Sequence, residues 1–134
     1  MIQIRPEQFA VFQQESEEAF VETLLKFARG NLTAWLKFDS DAIVRERIKS
    51  GVARARSHGF TGQPSLAKFV MLMLRFCPNF DRDPAVAALL ARKDVDPETR
   101  ADVLFSEITA GQWAAIEERF EPAAWLEFAT GPVL

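Results

Sequence analysis

Ser65-Leu66-Ala67-Lys68-Phe69-Val70-Met71-Leu72-Met73-Leu74-Arg75-Phe76-Cys77 decides how this chain reads. Leu66, Phe69, Val70, Met73, Leu74 and Cys77 recur at i, i+3, i+4 and i+7, the spacing of one helical face. Met71, Leu72 and Phe76 make the other side apolar too, which leaves Lys68 and Arg75 as the side chains suited to water. A helix apolar nearly all round belongs inside a shell of other helices. It falls short of the roughly 20 residues that cross a bilayer. Gln63-Pro64 opens it, because proline is tolerated in a first turn where its missing N–H costs nothing. Pro78 closes it by pushing the preceding residue out of the α region. The expectation is a central helix over about 64–77.

Upstream, Pro6 is expected to open a long amphipathic helix that ends at Gly30-Asn31, residues tolerant of the left-handed conformation. Phe9, Phe12, Ser16, Phe20, Thr23, Leu24 and Phe27 mark its inner face, with Gln14, Glu15, Glu17, Glu18 and Glu22 opposite. A short helix over 32–37 would set Trp35, Leu36 and Phe38 against the core. Asp39, Ser40 or Asp41 can cap the next helix, to about Ser57, with Val44, Ile48, Val52 and Ala55 as its apolar stripe. Its solvent faces read as basic: Arg45, Lys49 and Arg56 along one edge, Arg47 and Arg54 on the far side. His58 faces the negative end of that helix, and Gly59 suits the position just past it.

Downstream, residues 79–84 form a polar turn around Phe80. Asp83-Pro84 and Asp96-Pro97 each pair an N-cap with a first-turn proline, starting helices to about Arg92 and Glu107. Thr109 with Gln112 reads as a capping box for a helix to about Glu121. Pro122 restarts the chain into a last turn or two holding Trp125, Leu126 and Phe128, and residues 129–134 form a tail free to fray or dock. No stretch alternates with period two and no dipeptide signals a hairpin. The expected fold is all-α: one domain over 1–134, an orthogonal bundle of six or seven short-to-medium helices around 64–77.

The composition is that of a globular chain, with 49% hydrophobic and 26% charged residues among 134. Twelve Phe and no Tyr imply rings that are mostly buried, since Phe has no polar handle. A net charge of −3 disfavours a surface built wholly for nucleic acid. One Cys and one His cannot assemble a Cys/His zinc site, and a lone Cys77 excludes an internal disulfide. The first residues lack a basic stretch followed by an apolar run, so the expected address is the cytoplasm.

Each candidate for chemistry competes with a plainer role. His58 would need Ser57, Cys77 or another hydroxyl beside it to serve as a base, and no nucleophile elbow accompanies it. Its position at a helix C-terminus is the stronger reading. Cys77 sits on a core helix, where a thiol is inert. Asp81-Arg82-Asp83 suggests calcium, but Val86 stands where an EF-hand loop needs glycine. Asp83 then caps a helix and Asp81 pairs with a nearby Arg. No glycine-rich phosphate loop is present, and no catalytic, metal or cofactor residues are expected. The Arg-rich helix over 45–56 could meet phosphate, but its cations point to two sides with no aromatic platform. Aromatic anchors on short helices are a common protein-binding device. The expected contact residues are therefore Arg45, Lys49, Arg54, Arg56, Phe80, Trp113, Phe120 and Trp125.

The runs Arg45-Glu-Arg-Ile-Lys-Ser-Gly-Val-Ala-Arg-Ala-Arg-Ser-His-Gly-Phe-Thr61 and Phe69-Val-Met-Leu-Met-Leu-Arg-Phe-Cys-Pro-Asn-Phe-Asp-Arg-Asp-Pro84 resemble a family of small bacterial helical proteins. The start, Ile4-Arg5-Pro6-Glu7-Gln8, fits as well. That family is encoded in type VI secretion effector clusters, beside PAAR-repeat spike tips, effectors and their adaptors. The resemblance covers about two thirds of the chain and supplies no site residues. It implies a non-enzymatic accessory, a co-chaperone or co-adaptor whose partner is an effector, an adaptor or a spike-tip protein. A cytoplasmic immunity protein and a nucleic-acid regulator using the 45–56 helix are the competing readings.

Overall fold

In the computed structural model, residues 5–12 and 16–128 are described. They form seven α-helices: α1 Glu17–Asn31, α2 Thr33–Leu36, α3 Asp41–Ser57, α4 Gln63–Arg75, α5 Pro84–Leu90, α6 Pro97–Glu107 and α7 Ala110–Glu118. Short 3-10 segments, Pro6–Val11, Phe80–Arg82 and Pro122–Leu126, join or flank them. No strand occurs among the described residues. The all-α bundle expected from the sequence is the fold observed.

α4 is the hub. It packs on α3, α6, α1 and the Pro6–Val11 segment, and Leu66, Ala67, Phe69, Val70, Met71 and Leu72 are all sealed from solvent. Two aromatic clusters flank it. Phe60, Phe69, Phe80, Trp113 and Phe76 form a chain of ring contacts, ending with Phe76 and Trp113 stacked at 4.1 Å. Phe9 gathers Phe12, Phe27 and Phe105, and Phe12 meets Phe20 edge-on. Phe9, Phe12, Phe20, Phe60, Phe69, Phe76 and Phe80 are buried, as a ring without a polar atom favours.

Capping follows the local signals closely. Ser16, Ser40, Asp83, Asp96 and Thr109 each accept a hydrogen bond from a first-turn N–H. Thr109 and Gln112 complete the capping box. Gly59 has φ +91°, the left-handed conformation that turns the chain out of α3.

Several expectations are corrected. The helix opened by Pro6 does not run unbroken to residue 31: a 3-10 segment ends at Val11, and Ser16 starts α1 as its cap instead of facing the core. Gln14 and Glu15 lie outside the described residues, as does the tail over 129–134. α1 ends at Asn31 as expected, but without the left-handed conformation those residues tolerate: Asn31 Nδ2 donates to Phe27 O and Leu32 N donates to Ala28 O. Trp35 and Phe38 do not join the core: four-residue α2 turns only Leu36 inward, leaving Trp35 48% and Phe38 91% exposed. Lys68 and Arg75 are not water-facing. Lys68 is buried with Nζ 2.7 Å from Asp102 and 3.2 Å from Glu98, and Arg75 lies flat over Trp35 at 4.0 Å. α5 and α7 stop at Leu90 and Glu118, short of Arg92 and Glu121.

Candidate functional site

The densest polar cluster is built where α3 passes the turn after α4. Pro78 ends the hub region, Phe80 plugs into the core, and the 3-10 turn it anchors lifts Asp81 beneath α3. Arg54 Nε and Nη2 donate to Asp81 Oδ2 and Oδ1 at 2.7 and 2.9 Å. His58, the C-cap of α3, places Nε2 2.7 Å from Oδ2 of the same carboxylate, with its ring beside Phe69. An ionised carboxylate only accepts, so Nε2 carries the proton in this contact. Burial alone would raise the Asp81 pKa, but hydrogen bonds from His58 and Arg54 outweigh it and hold the carboxyl below its usual value. Burial would likewise lower Arg54, and its bonds to Asp81 and Glu127 reverse that.

The segment over residues 121–128 lies across the outer face of α3. Arg54 Nη1 donates to Glu127 Oε1 at 2.8 Å, and Arg82 reaches Glu127 Oε2 and, at 3.1 Å, Glu121 Oε2. Ser50 Oγ donates to Trp125 O at 2.7 Å, and Arg47 stacks over the Trp125 ring. Asn79 brackets the entry, donating to Arg119 O and accepting from Glu121 N. Hydrogen bonds from Arg82 and then Arg54 hold the Glu127 carboxyl low.

This cluster has the ingredients of an acid–base pair but no nucleophile. Ser57 Oγ donates to Arg54 O at 2.5 Å. Cys77 is buried, its Sγ donates to Ile116 O, and burial pushes its thiol up to about 11. Among the described residues no group of three or more His, Cys, Asp or Glu is placed to hold a metal. Asp83, the other half of the calcium suggestion, caps α5 and meets Arg119.

The contact residues expected from sequence scatter. Arg45 clasps Glu22 with two hydrogen bonds, Arg56 clasps Glu17, and Lys49 sits 3.8 Å from Glu46. The basic edge of α3 is thus tied to α1 and to its own helix. Phe80 and Trp113 are core residues and Arg54 is covered by Asp81 and Glu127, so none of the three lies on the open surface. Trp113 Nε1 is buried with no partner among the described residues, while its ring stacks on Phe76. Phe120 stays half-exposed because α7 ends before it, and Trp125 is half-buried under Arg47.

Sequence reasoning missed the corner between α2 and α3. Arg29, near the end of α1, donates to Leu36 O at 2.7 Å, Asp39 O at 2.6 Å and Asp41 Oδ1 at 2.9 Å. Arg47 adds a bond to Asp39 Oδ2, and Ser40 caps α3. Phe38 projects from this braced turn, and Trp35 before it and Ile43 after it along the chain are also about half-exposed. Lys37 lies over the Phe38 ring at 5.0 Å. In the fold α2 spans only four residues, 33–36, too few to bury two aromatics besides Leu36.

No helix among the described residues is long and apolar enough to cross a membrane. Comparison with protein-family models, curated proteins and solved structures gave no match.

Proposed function

We propose that the protein is a cytoplasmic, non-enzymatic protein-binding module, an accessory that holds an effector, its adaptor or a spike-tip protein, as the likeness to the secretion-cluster family implies. The observation that supports this reading best is the corner carrying Phe38. Its backbone carbonyls are held by Arg29 and the Asp39 side chain by Arg47, so the exposed ring belongs to a braced turn and not to a frayed loop. A pre-organised aromatic loses little conformational freedom on docking, and burying such a ring contributes about 1.5–3 kcal/mol. The nucleic-acid reading loses support from the same side chains that raised it, because Arg45 and Arg56 are engaged by carboxylates of α1. The test places a photo-crosslinking phenylalanine at position 38 in the native host, with exposed position 107 as control. Crosslinking to an effector, adaptor or spike-tip protein from position 38 alone supports the reading. The same pattern from both positions, or none from 38, overturns it.

A further inference from the structure

The segment over residues 121–128 is held unlike the rest of the bundle. Ala124 is its one buried residue, Trp125 is half-covered, and Leu126 is 73% exposed. Beyond Ala124 and Trp125, which packs on the edge of the core, its anchorage is polar: Glu121 and Glu127 on Arg82, Glu127 on Arg54, the Trp125 carbonyl on Ser50 and the Trp125 ring under Arg47. Phe128 lies 5.4 Å from the Arg54 guanidinium. Segments with few buried apolar contacts open at a fraction of the free energy of global unfolding. The surface they leave is a specific one, with Arg47, Arg54 and Arg82 alongside Ser50 and Asn79.

We infer that this seat on α3 and the Phe80–Arg82 turn is a docking site for an acidic peptide segment of a partner, kept occupied by the chain's own residues 121–128. The occupant's chemistry is read from what already sits there. It needs one carboxylate on Arg82, a second shared by Arg54 and Arg82, an aromatic ring under Arg47, and a backbone carbonyl for Ser50. A basic or uncharged segment would strand Arg82 and the outer prong of Arg54. The partner's segment must displace the resident one, so its apparent affinity is set by the fraction of time the seat stands open. The inference rests on the protein-binding reading but uses a surface that meets the Phe38 corner only at Arg47.

A fluorescein-labelled peptide with the sequence of residues 119–128 is the probe, titrated by anisotropy into the full chain. It is also titrated into a Glu121→Gln/Glu127→Gln chain whose fold is checked by circular dichroism. Weakening the resident segment should tighten the peptide about three- to tenfold, the range expected for one or two ion pairs. Adding Arg82→Gln to that chain should reverse the gain, and raising salt should weaken binding throughout. Amide exchange over residues 122–128 should quicken in the double variant while α4 stays protected. Equal peptide affinity for the two chains, or no binding to the folded double variant, overturns the inference. Crosslinking from position 38 that survives such a result would leave the protein-binding reading standing.

Discussion

Arg54 and Asp81 make a two-pronged ion pair inside the protein, at 2.7 and 2.9 Å, with side chains only 5% and 4% exposed. It joins α3 to the turn after α4, and through His58 and Glu127 it joins the end of α3 to the C-terminal segment. Buried pairs add little net stability over an apolar substitute, yet breaking one from a single side leaves a stranded charge.

Asp81→Ala should therefore lower unfolding stability by about 3 kcal/mol, the lower end for a broken buried pair because Glu127 still holds one prong of Arg54. The double change Arg54→Met/Asp81→Leu removes both charges and should cost less than Asp81→Ala alone. Urea midpoints at constant m-value measure both. A double variant less stable than the single would show that the pair contributes beyond cancelling its own desolvation.

Acid should act on the same cluster. Asp81 and Glu127 have folded pKa values below their ordinary ones, Asp81 because bonds from His58 and Arg54 overcome its burial, Glu127 because of Arg82 and Arg54. Above their unfolded values, about 3.9 for Asp and 4.3 for Glu, both are ionised in either state and their contribution is fully present. As pH falls below those values the unfolded chain takes up protons that the native one refuses, so stability drops until the folded values are passed. Thermal melts between pH 6 and 2.5 should show this loss. An Asp81→Asn/Glu127→Gln variant should start lower and fall less steeply, and parallel curves would place the acid sensitivity elsewhere.

The thiol of Cys77 should be nearly inert. Burial raises it to about 11, so at pH 8 its thiolate fraction is on the order of a hundredfold below that of a free cysteine near 8.5. A chromogenic disulfide reagent should react with the native chain only through opening of the bundle and at once in denaturant. Rapid native labelling at pH 8 would contradict the burial of Cys77 just past the end of α4.

What could be read from the sequence was what depends on neighbours along the chain. Ser40, Asp83, Asp96 and Thr109 act within one turn of themselves, and α4 announces itself by a repeat inside thirteen residues. Lys68 and Arg75 were misplaced because their partners, Glu98 and Asp102 on α6 and Trp35 on α2, come from elsewhere in the chain. His58 was rightly placed at a helix end. Its link to Asp81 could not be seen, because it depends on how the turn after α4 folds back. Arg54 shows the same limit: its place on α3 was legible, but which residues cover that face was not. Trp35 and Phe38 are expected in the core because hydrophobicity predicts burial, but a short helix beside a braced turn has no room for them.

Two glycines inside helices should respond to alanine with opposite signs. Gly30 lies in α1 with nothing within 4 Å of where a Cβ would stand, so Gly30→Ala should gain about 0.5–1 kcal/mol from helix propensity alone. Gly51 lies in α3 where it crosses α4, and a Cβ there would meet Val70 Cγ2 at 3.0 Å and Met73 Sδ at 3.2 Å. Met73 can swing away, but Val70 is β-branched and fully buried, so α3 and α4 must separate to admit the methyl. The overpacking cost, about 1–3 kcal/mol, exceeds the propensity gain, and Gly51→Ala should lower the urea midpoint. Because Gly51 and Val70 meet across the α3–α4 contact, Val70→Ala in the Gly51→Ala background should recover part of that loss. A stabilising Gly51→Ala would mean that the two helices pack less closely than the 3.0 Å approach requires.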